Sequence, residues 1–196
     1  GNADNDFISG NGGADTINGG DGDDTLHAAT IIAHENFENG ATGWTDNTST
    51  AGNATLTNFL GQFSGLGGAE AVSKTFNLPS VSAVTIDFDV YELDSWDNEE
   101  FNIFIDGVEI EVTNWKHDAI DENYSGTSGD ISWTITQQTR DYEGFKADIL
   151  DQVHHVSITI ANPGSTVQLG FGSTLNSPIS DESWGIDNLV IASGSH

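Results

Sequence analysis

The stretch AVTIDFDVYELDSWDNEEFNIFIDGVEIEV, residues 83–112, carries the pattern of an antiparallel β protein. Val84, Ile86, Phe88 and Val90 alternate with Thr85, Asp87, Asp89 and Tyr91, the period of two expected for a strand with one buried face. Residues 101–105 and 108–112 flank Asp106-Gly107, the commonest signal for a short hairpin. Residues 131–136, 153–160, 167–171 and 184–191 read as further strands, with Asn162-Pro163-Gly164-Ser165 as a turn between two of them. Helical periodicity is weak throughout, and residues 148–154 hold at most one or two helical turns. Many short strands separated by glycine-rich turns predict an all-β, antiparallel β-sandwich. Segments 114–130 and 173–183 are expected as long irregular loops of the kind that carry binding residues, with Trp115, Tyr124 and Trp184 in or beside them.

Inside the opening stretch, Asp94, Asp97, Glu99 and Glu100 crowd around Trp96 with no lysine or arginine nearby. Such a loop repels itself unless a cation neutralises it. Two roles are open to it. A calcium ion held by Asp94, Asp97 or Glu99 beside an exposed Trp96 makes a binding surface; otherwise Trp96 caps the core and the acids merely solubilise a loop.

The N-terminus has a different organisation. Read in nines, it gives GNADNDFIS, GNGGADTIN and GGDGDDTLH, with glycine at Gly1, Gly10 and Gly19, aspartate at Asp6, Asp15 and Asp24, and an aliphatic residue at Ile8, Ile17 and Leu26. Glycine and asparagine permit the positive-φ turns that bare backbone carbonyls, and each aspartate adds a carboxylate to its turn. Calcium takes six to eight hard oxygen ligands in tolerant geometry, which suits such turns better than zinc or magnesium does. Successive turns must alternate between the two sides of a flattened parallel β-roll. The first and third turns therefore stack, and one complete calcium site is expected on Asp6 and Asp24, with the site at Asp15 half formed. A flexible Gly/Asn/Asp linker is the bland alternative, and three in-phase copies of a multi-position pattern argue against it. Residues 1–27 resemble the repeats of the repeats-in-toxin (RTX) proteins, which are calcium-binding and mostly type I secreted. The resemblance implies export through a calcium-poor cytosol and folding outside the cell.

Two further resemblances concern the larger domain. AHENFENGATGW (33–44) and ESWGIDNLVI (182–191) look like the first and last strands of jelly-roll, lectin-like modules such as carbohydrate-binding domains. In those folds a Phe-Glu near the start and an Asp near the end meet at a structural calcium. Carried over, the ion lies between Glu38 and Asp187, with Glu35 as a further candidate; otherwise Glu38 is a surface carboxylate beside a buried Phe37. FDVYELDSWDNEEFNIFIDG (88–107), with FLGQFSG (59–65) and the SWGID ending, resembles the ligand-binding modules of giant bacterial RTX adhesins, above all their calcium-dependent peptide-binding domains. That resemblance implies a grip on short peptides or protein C-termini on other cells, and Asp94, Trp96, Asp97, Tyr124, Asp181 and Trp184 are the expected ligand-binding residues. The expected division is 1–29 for the repeats, 30–192 for the calcium-dependent sandwich and 193–196 for a tail.

Composition narrows the function classes. The 196 residues include 31 acidic and 4 basic side chains, a formal charge of -27, with Lys74, Lys116, Arg140 and Lys146 the only lysines and arginines. A surface so acidic destabilises the compact state unless counter-ions neutralise it, so several Ca2+ ions are expected. Nucleic acid and anionic membrane are poor partners without clustered lysine and arginine. The absence of cysteine excludes a disulfide scaffold, a zinc ribbon and a thiol nucleophile. With no initiator methionine, signal peptide or long apolar run, the chain is expected to be an excised, monomeric module of a larger extracellular protein with no membrane insertion. Catalysis is not expected. Asp94 with Asp97, or Asp181 with Glu182, are sequence neighbours that rarely face each other across a scissile bond, and His154-His155 should place one ring inward and one outward. The alternative to a peptide ligand is a glycan, for which five tryptophans offer stacking surfaces.

Overall fold

The computed structural model describes residues 7–9, 25–27, 29–53, 55–118, 123–141, 145–146 and 148–194. Strands β1 (Phe7–Ser9) and β2 (Thr25–His27) pair in parallel, with Phe7 opposite Thr25 and Ile8 opposite Leu26. The offset of 25 − 7 = 18 residues is two nonapeptides, so the strand of the first repeat pairs with that of the third. This is the alternation that a flattened roll requires. The expected calcium aspartates Asp6, Asp15 and Asp24 lie outside the described residues.

The remainder is a sandwich of two antiparallel sheets. It is built from β3 (Ile31–Glu35), β4 (Ser49–Thr50), β5 (Phe59–Phe63), β6 (Val72–Asn77), β7 (Ala83–Asp94), β8 (Asp97–Ile105), β9 (Val108–Lys116), β10 (Tyr124–Ser128), β11 (Ile131–Asp141), β12 (Asp151–Ala161), β13 (Thr166–Ser173) and β14 (Glu182–Ser193). The eight-stranded sheet runs β10-β11-β12-β7-β14-β5-β4, with β3 also pairing β14; the four-stranded sheet runs β6-β13-β8-β9. The described residues contain no helix.

The alternation in β7 buries Val84, Ile86, Phe88 and Val90 completely, and Phe88 and Ile86 face Val156 and Ile158 of β12 across the ladder. Such apolar cross-strand pairs are the unit of sheet stabilisation. The facing sheet contributes Phe101, Ile103, Leu169 and Phe171, all fully buried. Phe101 is the hub: its ring centroid lies 5.3 Å from Trp115, 6.0 Å from Phe171 and 5.2 Å from Trp184. Asp106 (φ 52) and Gly107 (φ 73) both take positive φ in the β8–β9 turn, as the Asp-Gly signal predicts.

Three expectations are corrected. β7 and β8 belong to different sheets and are joined only by Ser95 and Trp96, so the acidic stretch is a tight crossing between layers rather than a loop. Most of the described residues in segment 114–130 are β structure, since β9 runs to Lys116 and β10 occupies Tyr124–Ser128. Residues 151–154 begin strand β12 instead of forming a helical turn: Gln152, His154 and Val156 bury in phase with the core. Polar side chains hid that phase.

Because Phe101 bridges three aromatic neighbours, Phe101→Ala is expected to cost about 3–5 kcal/mol. Urea denaturation of the purified variant measures it.

Candidate functional site

Strand termini from both sheets bring carboxylates to one end of the sandwich. Asp94, the last residue of β7, sits opposite Glu182, the first of β14, while Glu99 comes from the start of β8 and Asp151 from the start of β12. All four are buried. The inward phase of β7 continues beyond Val90 through Glu92 and Asp94, so the buried stripe changes from apolar to acidic within one strand.

Hydrogen bonds lock this end. Asp94 (φ 67) accepts from the Lys146 backbone N at 2.9 Å and donates its own N to Asp151 Oδ1 at 2.6 Å. Glu182 Oε1 accepts from Asn176 N (3.0 Å) and Ser177 N (2.7 Å), which ties down the 174–181 connection. Asp97 N donates to Glu99 Oε2 at 2.6 Å. Lys146 Nζ pairs with the Asp181 carboxylate and also donates to the Asp181 carbonyl at 3.2 Å. Ser95 donates to that same carbonyl through its N (3.1 Å) and Oγ (2.7 Å), fastening the layer crossing.

Electrostatics follow from burial. Desolvation raises the Asp94 carboxyl above its ordinary value, and desolvation, with Asp97 and the Glu182 charge adding to it, raises Glu99 to about 6. The hydrogen bond from Lys146 holds Asp181 below its ordinary value, and Asp181 in turn raises Lys146. Deeper in, Glu92 pairs with His154 Nε2 at 2.9 Å, and His154 stacks on Trp115 with centroids 3.8 Å apart. His155 points the other way, to Asp89 Oδ1 at 2.9 Å, and that bond raises its pKa.

The structure gathers Asp94, Asp97, Glu99 and Asp181 at this end. It removes Trp96 and Trp184 from any ligand surface. Both indoles are fully buried, with Trp96 Nε1 donating to Ser183 O at 2.8 Å and Trp184 Nε1 to Ser173 Oγ at 2.9 Å. Trp96, the second of the two residues that cross between the layers, packs into the core. Trp115 is equally buried. Tyr124 is half-buried, its hydroxyl donating to Asn114 O at 3.2 Å and tying β10 to β9.

The other expected metal position involves Glu38, Asp187 and Glu35. Asp187 is fully buried and accepts from Thr57 Oγ1 (2.6 Å) and Tyr91 OH (2.9 Å), and burial raises its pKa. Glu38, exposed, accepts from Asn58 N at 3.0 Å. The consecutive residues Thr57 and Asn58 thus hold Asp187 and Glu38. Glu35 is instead neutralised by Lys74 and accepts from Trp44 Nε1 at 2.7 Å. Among the described residues no three histidine, aspartate or glutamate side chains are arranged to hold one metal ion, neither at Asp94, Asp97 and Glu99 nor at Glu35, Glu38 and Asp187.

Sequence reasoning passed over Glu92, Asp151, Lys146 and the exposed pair Phe145 and Ile179. The unbroken alternation of β7 was the available signal for Glu92; the others are assembled by tertiary contact.

The family model of the RTX calcium-binding nonapeptide repeat (4 copies) matches residues 1–29. These residues are RTX calcium-binding repeats. The parallel pairing of the first and third repeats fits them, because a calcium ion between stacked turns needs two turns on one side. No curated protein matches the chain. Among solved structures it is similar to the C-terminal domain of EclA, described as a sugar-binding protein, at 12% identity over 75% of this chain and 80% of that chain, with a TM-score of 0.39. A likeness at that level carries neither ligand nor site across. No helix among the described residues is long and apolar enough to cross a membrane.

Two outcomes are expected. Calcium at 10- to 100-fold above a dissociation constant of about 10⁻⁴ M adds roughly 1.4 to 2.7 kcal/mol per site, so chelation should lower Tm sharply in scanning calorimetry. Glu99 titrates at about 6 folded against an ordinary 4.5, so the folded state holds its proton more tightly than the unfolded state. The stability this contributes is present below pH 4.5 and is lost as pH rises through about 6. In chelator, Tm should fall across that window, and Glu99→Gln should flatten the fall; an unaltered slope in the variant contradicts the assignment.

Proposed function

We propose that this chain is a non-enzymatic, calcium-dependent adhesion module of a type I secreted bacterial surface protein, which binds short peptides or protein C-termini at the acidic end of its sandwich. The observation that carries this is the mixed chemistry around one ion pair. Phe145 (46% exposed) precedes Lys146, and Ile179 (45% exposed) lies two residues before Asp181, so two of the few exposed large apolar side chains flank the Lys146–Asp181 bridge. Two of the three Lys146 ammonium protons go to Asp181. The third ammonium proton is a donor for a carboxylate beside apolar surface, which suits a peptide's terminal carboxylate and its last side chain.

Against the glycan alternative stands the placement of the tryptophans. Trp44, Trp96, Trp115, Trp133 and Trp184 are all buried, so none offers a face for a sugar ring to stack on. Calcium, bound by the repeats, supplies positive charge that offsets part of the -27 and holds the N-terminal roll folded outside the cell. Lys146 and its carboxylate neighbours orient the ligand; Phe145 and Ile179 cover its apolar part.

The test is a library of C-terminal peptides, free or amidated, read beside a glycan array with calcium and with chelator. Free-acid peptides ending in an apolar residue should bind in calcium, with at least about tenfold loss on amidation or in Lys146→Ala, roughly the effect of one charge-assisted bond. Binding of glycans alone, or equal binding of acid and amide, overturns it.

A further inference from the structure

The outer face of the four-stranded sheet holds a second group of oxygens that the acidic end does not explain. On that face β13 presents Gly170 and Gly172 opposite Phe104 and Asn102 of β8. A Cβ on Gly170 would sit 2.2 Å from Glu70 Oε2, and one on Gly172 would sit 2.2 Å from the Ala69 carbonyl oxygen. The two glycines therefore let the segment around Glu70 lie directly on the sheet. Leu66 N and Gly68 N donate to Ser173 O, and Ala71 N to Phe171 O, which fixes it there.

Asn102 is 2% exposed beneath this segment. Its Nδ2 donates to Glu109 Oε2 at 3.3 Å, while its Oδ1 is buried with no donor. Glu70 Oε2 is likewise buried without a donor. Gly68, at φ 81, would bring a Cβ within 3.5 Å of Asn102 Oδ1, so the chain leading into Glu70 passes over that same oxygen. Exchanging the amide O and N of Asn102 does not help, because the oxygen would then face the Glu109 carboxylate. Lys74, Lys116 and Lys146 are committed elsewhere, to Glu35, Asp118 and Asp181. Buried acceptors with no donor are destabilising and rare in native proteins.

We propose that this group of oxygens is a calcium site, with Glu70 and Asn102 as ligands and Glu109 as the second carboxylate. The donors are all hard oxygens, two anionic and one amide, which is the set that calcium prefers over zinc or copper. An ion here clamps the Glu70 segment onto β8 and β13 and satisfies both orphaned oxygens at once. It is separate from the ions of the nonapeptide repeats and needs none of the ligand chemistry proposed above.

The experiment uses the full chain, stripped of metal and titrated with calcium in a calorimeter, with bound calcium per chain checked by elemental analysis. Glu70→Gln is nearly isosteric and should bind one ion fewer than the unaltered protein. A repeat variant, Asp6→Asn with Asp24→Asn, should lose its own ion independently, so failure at the repeats and failure at Glu70 are told apart. Crystals of the unaltered protein grown in calcium should show anomalous density between Glu70 and Asn102, which decides the matter even if Glu70→Gln does not fold. A water-sized peak without anomalous signal there, or unchanged stoichiometry in a folded Glu70→Gln, overturns the proposal.

Discussion

Mutual repulsion among carboxylates is the constraint on which this molecule turns. A chain with 31 acidic and 4 basic side chains cannot be neutralised by its own cations, and the three lysines are already paired with Glu35, Asp118 and Asp181. What remains must be hydrated, hydrogen-bonded to backbone N–H groups, protonated or metallated. The structure uses the second of these: Asp94 and Glu182 accept from backbone amides of connecting segments, and Glu99 accepts from Asp97 N at the start of its own strand. Buried carboxylates thereby become the fasteners of the loops at one end of the sandwich.

The crossing from β7 to β8 links that polar end to the apolar core. Ser95 and Trp96 carry the chain from one sheet to the other, and Trp96 fills the gap while Ser95 grips Asp181. Behind it the Glu92–His154 pair stacks on Trp115, which stacks on Phe101 at the centre of the aromatic cluster. Packing is continuous from the hub of the core to the acidic rim. A rigid scaffold of this kind holds carboxylates in positions that a free loop could not maintain against their repulsion.

The N-terminal roll meets the same constraint differently. Its two described strands are three residues long each, and a two-stranded pair is at best marginally stable by itself in water. The sequence between them is rich in aspartate and glycine, and it matches a calcium-binding repeat. One chain therefore combines calcium-binding repeats with a sandwich in which several buried carboxylates accept hydrogen bonds.

The amino-acid sequence by itself determined the periodic features. The nonapeptide phase, the pairing of its first and third copies, most of the long strands of the sandwich and the Asp106-Gly107 turn follow from local steric preference and alternation, which need no knowledge of distant residues; the short strands β4, β6 and β10 do not. Tertiary structure alone decided what the candidate site is. Trp96 adjoins Asp97 and Trp184 lies two residues after Glu182, yet layer packing turned both indoles inward. Lys146 and Asp181, 35 residues apart, meet only because the ends of several strands converge. Burial and charge pairing are properties of neighbours in space, and a linear pattern does not specify those neighbours.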